Sequence, residues 1–231
     1  IITMLITFIL CFMYAKPVKA GSFVIESGET KTTTQTLDSN ETGHVKKDGT
    51  ISTNVARNQS IKSTGDNITV TNDGVISTES DSSSGISSTG NKHEVTNNGN
   101  INTKRYLSAG IYSMGNNTIK NTGTISTTGV QQSPGIYSIG NNAFITNSGN
   151  IDTTGWWSYG ISSDIFIDVN DNNKRYGDNT TIINIGTIST RGPFADAIRS
   201  TADYVNITNS GKILTTEYQS GGISSSGKNA K

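Results

Sequence analysis

A repeat of 25 residues is the feature that most constrains how this chain can fold. A small residue, an Ile, a variable residue and a Ser recur as a tetrapeptide, and successive copies are 25, 25, 25, 25, 37 and 25 residues apart. The copies begin at Ser60, Gly85, Gly110, Gly135, Gly160, Ala197 and Gly222. A regular period of this length is typical of solenoid proteins, in which a repeat buries its apolar face only by stacking on its neighbours.

A second motif recurs in phase with the tetrapeptide and indicates how each repeat is built. An Asn is preceded two positions earlier by Val or Ile, and is followed four positions later by Ile and six positions later by Thr. These asparagines are Asn72, Asn97, Asn121, Asn147, Asn184 and Asn209. Because the unvarying positions lie two apart, they indicate β-strands whose constant side chains share one face.

These patterns predict an all-β fold, a single-stranded parallel β-helix (solenoid) with three short strands per coil and about 25 residues per coil. The three strands are centred on V-x-N, I-x-T and G-I-x-S. Stacking of equivalent positions places the asparagines in one structural ladder, in which the amides can hydrogen-bond one another. By analogy with known solenoids of this coil size, we expect the winding to be right-handed.

Residues 1–20 differ from the rest of the chain and predict a signal peptide. The run from Ile1 to Tyr14 is almost entirely apolar, and Val18 and Ala20 are the small residues that a signal peptidase reads before cleaving ahead of Gly21. We therefore expect the protein to be secreted through the inner membrane.

The regularity of the repeat predicts the organisation of the remaining chain. We expect residues 21–57 to form an N-terminal cap or irregular first coil. Residues 58–231 are expected to form the β-helix repeats, with an inserted loop around residues 163–179 where the step lengthens to 37. The single cysteine, Cys11, precedes all of these segments, so disulfides do not close the predicted fold.

The balance of acidic and basic residues bears on whether the protein binds nucleic acid. Lysine and arginine number 18, aspartate and glutamate also number 18, and the formal net charge is zero. A nucleic-acid-binding protein normally carries a basic stripe or patch. We therefore expect no nucleic-acid partner.

The chain resembles the passenger domains of autotransporters, which are surface adhesins and virulence factors of Gram-negative bacteria. The resemblance rests on the signal peptide, on the Asn-x-Gly-x-Ile and Gly-Ile-x-Ser coils and on the absence of cysteine after residue 20. The resemblance implies display at the cell surface, on the outer membrane or in the extracellular medium. It also implies adhesion to a host protein, the matrix or a glycan. The partner that it implies is an outer-membrane β-barrel translocator, which is either part of the same chain or a separate protein. The sequence ends at SSGKNAK without the strands of such a barrel, so we expect a fragment.

Two other functions stay open from the sequence. A structural stalk or spacer without a ligand of its own has the same kind of repeat. A pectate-lyase-like, polysaccharide-active enzyme also uses a parallel β-helix, and its candidate residues here are Asp164, Asp168, Asp171 and Arg175. Outward acidic residues do not recur on neighbouring coils to line a groove, so we expect no enzymatic activity.

Aromatic residues near one corner of the coils are the candidate binding residues. The predicted stripe comprises Tyr106, Trp156, Trp157, Tyr159, Phe194 and Tyr218. Exposed aromatic rings anchor protein partners or stack on sugar rings, so the stripe predicts a glycan or a host-surface protein as ligand. The alternative is that these rings only shield the ends of the strands. Tyr112 and Tyr137 are expected to stack on a neighbouring face.

The insertion that lengthens one step supplies a second candidate site. Its oxygen-bearing side chains are those of Asp168, Asn170, Asp171, Asn172 and Asp178. Carboxylate and amide oxygens are the ligands that Ca²⁺ prefers, so a calcium site is the predicted function of this loop. The alternative is a solvated loop rich in turn-forming residues. No other cofactor is expected.

Overall fold

Three parallel sheets of eight strands each form a solenoid in the computed structural model of the chain, which describes residues 21–168 and 174–231. Each coil contributes one strand to every sheet, so neighbouring strands in a sheet come from successive coils. The predicted parallel β-helix with three short strands per coil is confirmed. Its right-handed winding stays a prediction. Residues 1–20, the predicted signal peptide, lie outside the described residues.

The strands are short and recur in the same order in every coil. Sheet A consists of β1 (Phe23–Ile25), β4 (Thr42–Val45), β7 (Thr69–Asn72), β10 (Glu94–Asn97), β13 (Thr118–Asn121), β16 (Phe144–Asn147), β21 (Thr181–Asn184) and β24 (Asn206–Asn209). Sheet B consists of β2 (Thr30–Lys31), β5 (Thr50–Thr53), β8 (Val75–Thr78), β11 (Asn100–Thr103), β14 (Thr124–Thr127), β17 (Asn150–Thr154), β22 (Thr187–Arg191) and β25 (Lys212–Thr215). Sheet C consists of β3 (Gln35–Leu37), β6 (Ile61–Thr64), β9 (Ile86–Thr89), β12 (Ile111–Met114), β15 (Ile136–Ser138), β18 (Ile161–Ser163), β23 (Ile198–Ser200) and β26 (Ile223–Ser225).

The register of the sheets follows the repeat in the sequence. In sheet A, Val95 pairs with Val70 and Asn97 pairs with Asn72, so like residues stack along the axis. Val70 and Asn72 are fully buried, whereas Thr71 between them is partly exposed. A strand places alternate side chains on opposite faces, and this alternation selects which residues enter the core.

Columns of Ile and Val from the three sheets form the core inside the solenoid. Ile76, Ile101 and Ile125 of sheet B are fully buried, as are Ile86 and Ile111 of sheet C. Burying such columns against each other is the main favourable term available to a chain with only 32% hydrophobic residues.

Crowding at the core explains the glycine that opens the G-I-x-S motif. A Cβ atom on Gly110 would overlap the Cγ2 atom of Ile125 and would lie 2.6 Å from the carbonyl oxygen of Gly135. The glycine is therefore required by the close approach of a neighbouring column to the backbone.

Residues 21–57, predicted as a cap or irregular first coil, supply strands β1 to β5. In this segment β1 pairs with β4 and β2 pairs with β5, both in parallel. The segment therefore joins the same sheets as the later repeats. None of the described residues belongs to a helix that is long and apolar enough to cross a membrane.

The longer step between β18 and β21 contains a hairpin that leaves the coil. It consists of the antiparallel strands β19 (Phe166–Asp168) and β20 (Lys174–Tyr176). The rings of Phe166 and Tyr176 lie across the hairpin with their centroids 6.3 Å apart. Beyond the hairpin, Thr181 of β21 pairs with Phe144 of β16, so the coil resumes in register.

Candidate functional site

The predicted asparagine column is a buried hydrogen-bond ladder and therefore belongs to the scaffold. The side-chain Nδ2 of each asparagine donates to the Oδ1 of the next at 2.6–2.7 Å, through Asn72, Asn97, Asn121, Asn147, Asn184 and Asn209. The ladder runs in one direction, and the Oδ1 of Asn72 at its start is buried with no hydrogen-bond partner among the described residues. Val45 occupies the equivalent place one coil earlier and offers no donor.

One buried histidine also belongs to the interior. The ring of His93 is 1% exposed, and its Nε2 donates to the carbonyl oxygen of Gly65 at 2.7 Å, so Nδ1 accepts from the hydroxyl of Ser88 at 2.5 Å. Burial lowers the pKa of His93 below its ordinary value, against the weaker opposing effects of Gly65 and Asp66. Asn117 stands at the equivalent position in the next coil, and its amide donates to Ser113 at 3.1 Å.

The predicted aromatic stripe lies beside a column of residues with left-handed backbone. The φ angles are 55° at Leu107, 50° at Gln132, 52° at Trp157 and 56° at Phe194. This conformation costs a residue with a side chain about 1–2 kcal/mol relative to the ordinary helical region. The same conformation recurs at the equivalent position of other coils, in Arg57, Ser82 and Gln219, so it belongs to the turn that the coils make at this corner.

Four of the predicted residues form a cluster, which we call the aromatic corner: Trp156, Trp157, Phe194 and Tyr218. The rings of Trp157 and Phe194 stack with centroids 5.6 Å apart, and the rings of Phe194 and Tyr218 are perpendicular with centroids 5.8 Å apart. Trp156 is 49% exposed and Tyr218 is 68% exposed. Tyr106 lies two coils from Trp156 in the same column, and Gln131 interrupts the stripe between them.

The other part of the stripe lines a groove of about 640 Å³ along the outer face of sheet C. We call it the sheet C groove. Trp157 and Tyr159 of the predicted stripe line it together with Tyr112 and Tyr137. The structure thus divides the stripe, with Trp157 shared between the aromatic corner and the sheet C groove.

Repeat register places the tyrosines in the floor of the sheet C groove. Tyr112 and Tyr137 hold the variable position of G-I-x-S in β12 and β15, and they pair directly in sheet C. Their ring centroids lie 5.8 Å apart, so the two side chains are neighbours along the axis as predicted, but the ring planes are tilted by 50° and are not parallel. Two strands beyond Tyr137, the same outward position holds Arg199. Arg199 is absent from the predicted site, although the tetrapeptide that begins at Ala197 could have placed it in this column.

An ion pair closes one end of the groove. The guanidinium of Arg199 lies 3.6 Å from the carboxylate of Asp164 and 4.8 Å from the centroid of the Tyr159 ring. The side chain of Asp164 is only 14% exposed, and it accepts hydrogen bonds from the hydroxyls of Ser162 at 2.8 Å and Thr201 at 3.0 Å. Arg199 therefore places a positive charge beside a largely buried acidic side chain.

The tyrosines of the groove are neutral hydrogen-bonding groups. Burial, with the nearby charge of Asp164 as a second cause, raises the pKa of Tyr137 to about 12. Burial also raises the pKa values of Tyr112 and Tyr159. Within residues 21–168 and 174–231, none of these three phenols hydrogen-bonds to another side chain or to the backbone. Half-buried phenols usually find a partner, so these hydroxyls are available to a ligand.

The calcium site stays a prediction. Asn170, Asp171 and Asn172 lie outside the described residues, and the structure describes only the backbone of Asp168, in β19. Asp178 accepts a hydrogen bond from the backbone of Asp203 at 3.0 Å. In the part of the chain that the structure describes, no group of three or more His, Cys, Asp or Glu side chains is placed to hold a metal ion.

The described residues define a parallel β-solenoid with an aromatic groove on one sheet. Comparison of the chain with family models, with curated proteins and with solved structures found no match. The features that bear on function are those of the groove itself, namely adjoining aromatic rings, neutral phenols and one ion pair.

Proposed function

We propose that this protein binds a glycan through the sheet C groove and acts as a surface adhesin, the passenger of an autotransporter. The observation that carries the proposal is the groove in which Tyr112, Tyr137, Trp157 and Tyr159 adjoin the Arg199–Asp164 pair. Its volume of about 640 Å³ falls within the range of about 300–1,000 Å³ that is usual for small-ligand sites.

A sugar matches this groove chemically. A pyranose ring has a face of C–H groups, which packs on aromatic rings, and a rim of hydroxyls, which exchange hydrogen bonds. The tyrosine rings supply the first kind of contact, while their hydroxyls, Asp164 and Arg199 supply the second.

The length of the coil supports the autotransporter part of the proposal. A solenoid of about 25 residues per coil agrees with the passenger interpretation. We accordingly propose secretion through the inner membrane, display at the cell surface and an outer-membrane β-barrel translocator as partner, with no nucleic-acid partner and no enzymatic activity.

The aromatic corner favours a second candidate function, contact with a host-surface protein. Trp156 and Tyr218 are both about half exposed or more. Exposed aromatic side chains that cluster in this way are typical centres of protein–protein interfaces.

A glycan array tests the first proposal. The protein should bind at least one class of glycan, and Tyr137→Ala should abolish the signal because it removes one of the two adjoining tyrosine rings in the floor of the groove. Tyr204→Ala is the matched control, since Tyr204 is 59% exposed and does not line the groove. Binding that Tyr137→Ala leaves intact would contradict the proposal. Host-protein binding lost in Trp156→Ala and Tyr218→Ala would support the second candidate.

A further inference from the structure

We infer that the sheet C groove takes a linear, uncharged polysaccharide that lies along the solenoid axis. This inference rests on the proposed function and names the ligand class of the same site. It follows from the length of the groove, from the side chains along its wall and from the balance of its charges.

The groove is elongated along the axis. Its wall contains Ser84, Ala109, Pro134 and Tyr159, which occupy the same position in four consecutive coils, and Arg199 belongs to the coil after them. Coils in a β-solenoid are about 4.8 Å apart, so five coils span about 19 Å. A cleft of this shape suits several consecutive sugars of one chain.

Small side chains in the wall leave the floor of the groove open over most of its length. Ser84, Ala109 and Pro134 are small, so this wall leaves the Tyr112 and Tyr137 rings partly exposed. In the next coil the same column holds Tyr159, whose ring lies against Arg199. The stacking surface therefore runs from the open end near Ser84 towards the ion pair.

The charges of the groove do not favour an acidic ligand. Among the residues that line the groove, the carboxylate of Asp164 faces the guanidinium of Arg199, so their charges balance. Lys62 lies in the same outward column of sheet C but two strands beyond Tyr112, and it does not line the groove. A uronate, sialate or sulfate would meet no excess of positive charge, whereas a neutral sugar can hydrogen-bond to both members of the pair.

Fluorescence of one tryptophan provides the assay. The protein has two tryptophans, and only Trp157 lines the groove, so Trp156→Phe leaves a single reporter at the site. This variant is titrated with linear gluco- and manno-oligosaccharides of increasing length, and with the same chains oxidised to uronates at C6. We expect neutral chains to bind more tightly with length until they span the groove. We expect the uronates to bind at least about tenfold more weakly.

Removing the charge of Asp164 separately tests whether the charges of the groove disfavour acidic ligands. Ser162 and Thr201 donate to different oxygens of the carboxylate, so Asp164→Asn keeps one of these two acceptors and removes the charge that compensates Arg199. It should improve the affinity for the uronates relative to the neutral chains by about tenfold. Asp48→Asn changes the net charge equally in an exposed turn outside the groove and should leave the preference unchanged.

The outcomes separate this inference from the proposed function. Equal or tighter binding of uronates to the Trp156→Phe protein overturns the inference and leaves the proposed function standing, as does an affinity that does not depend on chain length. Suppose that neither the neutral chains nor the uronates bind, while the array shows another glycan whose binding Tyr137→Ala abolishes. The inference then fails, and the proposed function stands. If no glycan binds in either assay, both fail.

Discussion

Replacing one asparagine in the middle of the ladder should destabilise the protein far more than replacing the last one. Asn121 is fully buried, accepts from Asn97 at 2.7 Å and donates to Asn147 at 2.7 Å. Asn121→Ala leaves the amide of Asn97 and the carbonyl of Asn147 buried without these partners. Each orphaned group costs about 1–3 kcal/mol, so we expect a loss of about 4 kcal/mol in the free energy of unfolding.

Urea denaturation followed by far-UV circular dichroism measures this loss. The midpoint concentration should fall while the slope stays near that of the wild type, because a pure stability change leaves the exposed area of unfolding unaltered. Asn209→Ala is the matched control, since Asn209 ends the ladder, is exposed and donates to no further asparagine, although its amide donates to the backbone carbonyl of Gly211 at 3.3 Å. We expect it to cost about 1 kcal/mol. Equal losses for the two variants would refute the idea that the ladder is cooperative and buried.

Two further predictions concern the interior. Because burial lowers the pKa of His93, the unfolded chain takes up a proton below about pH 6.5 that the folded protein does not, so stability should fall as pH drops from about 7 to about 5. His93→Asn, the residue found one coil later, should flatten that part of the pH profile, and an unchanged profile would contradict the assignment. Gly110→Ala should lower stability by about 2–3 kcal/mol in the same denaturation assay, because its Cβ overlaps Ile125. Gly222→Ala is its control, since that Cβ would meet its nearest atom at 3.7 Å, and a loss as large as that of Gly110→Ala would show that crowding is not the cause.

Much of the fold was predictable because a solenoid converts sequence period directly into spatial stacking. Asn97 follows Asn72 by one period, and the two pair in sheet A as their spacing predicts. The alternation of constant and variable residues predicted which side chains enter the core, and Val70 and Asn72 are buried accordingly. The close packing that requires Gly110 was not visible, because it depends on the distance between columns of different sheets.

The sequence by itself determined the columns, the strands and the corner at which the aromatic residues gather. Only the tertiary structure decided that Trp157 and Tyr159 turn into the sheet C groove while Trp156 stays on the outer corner, because the left-handed backbone at Trp157 changes the direction of the chain there. It also decided that Asp164 meets Arg199. These residues are 35 positions apart in the sequence, and they become neighbours on successive coils because the inserted hairpin leaves the solenoid between them. The sequence shows the length of that insertion, but where the chain leaves and rejoins the coil depends on packing against the neighbouring strands.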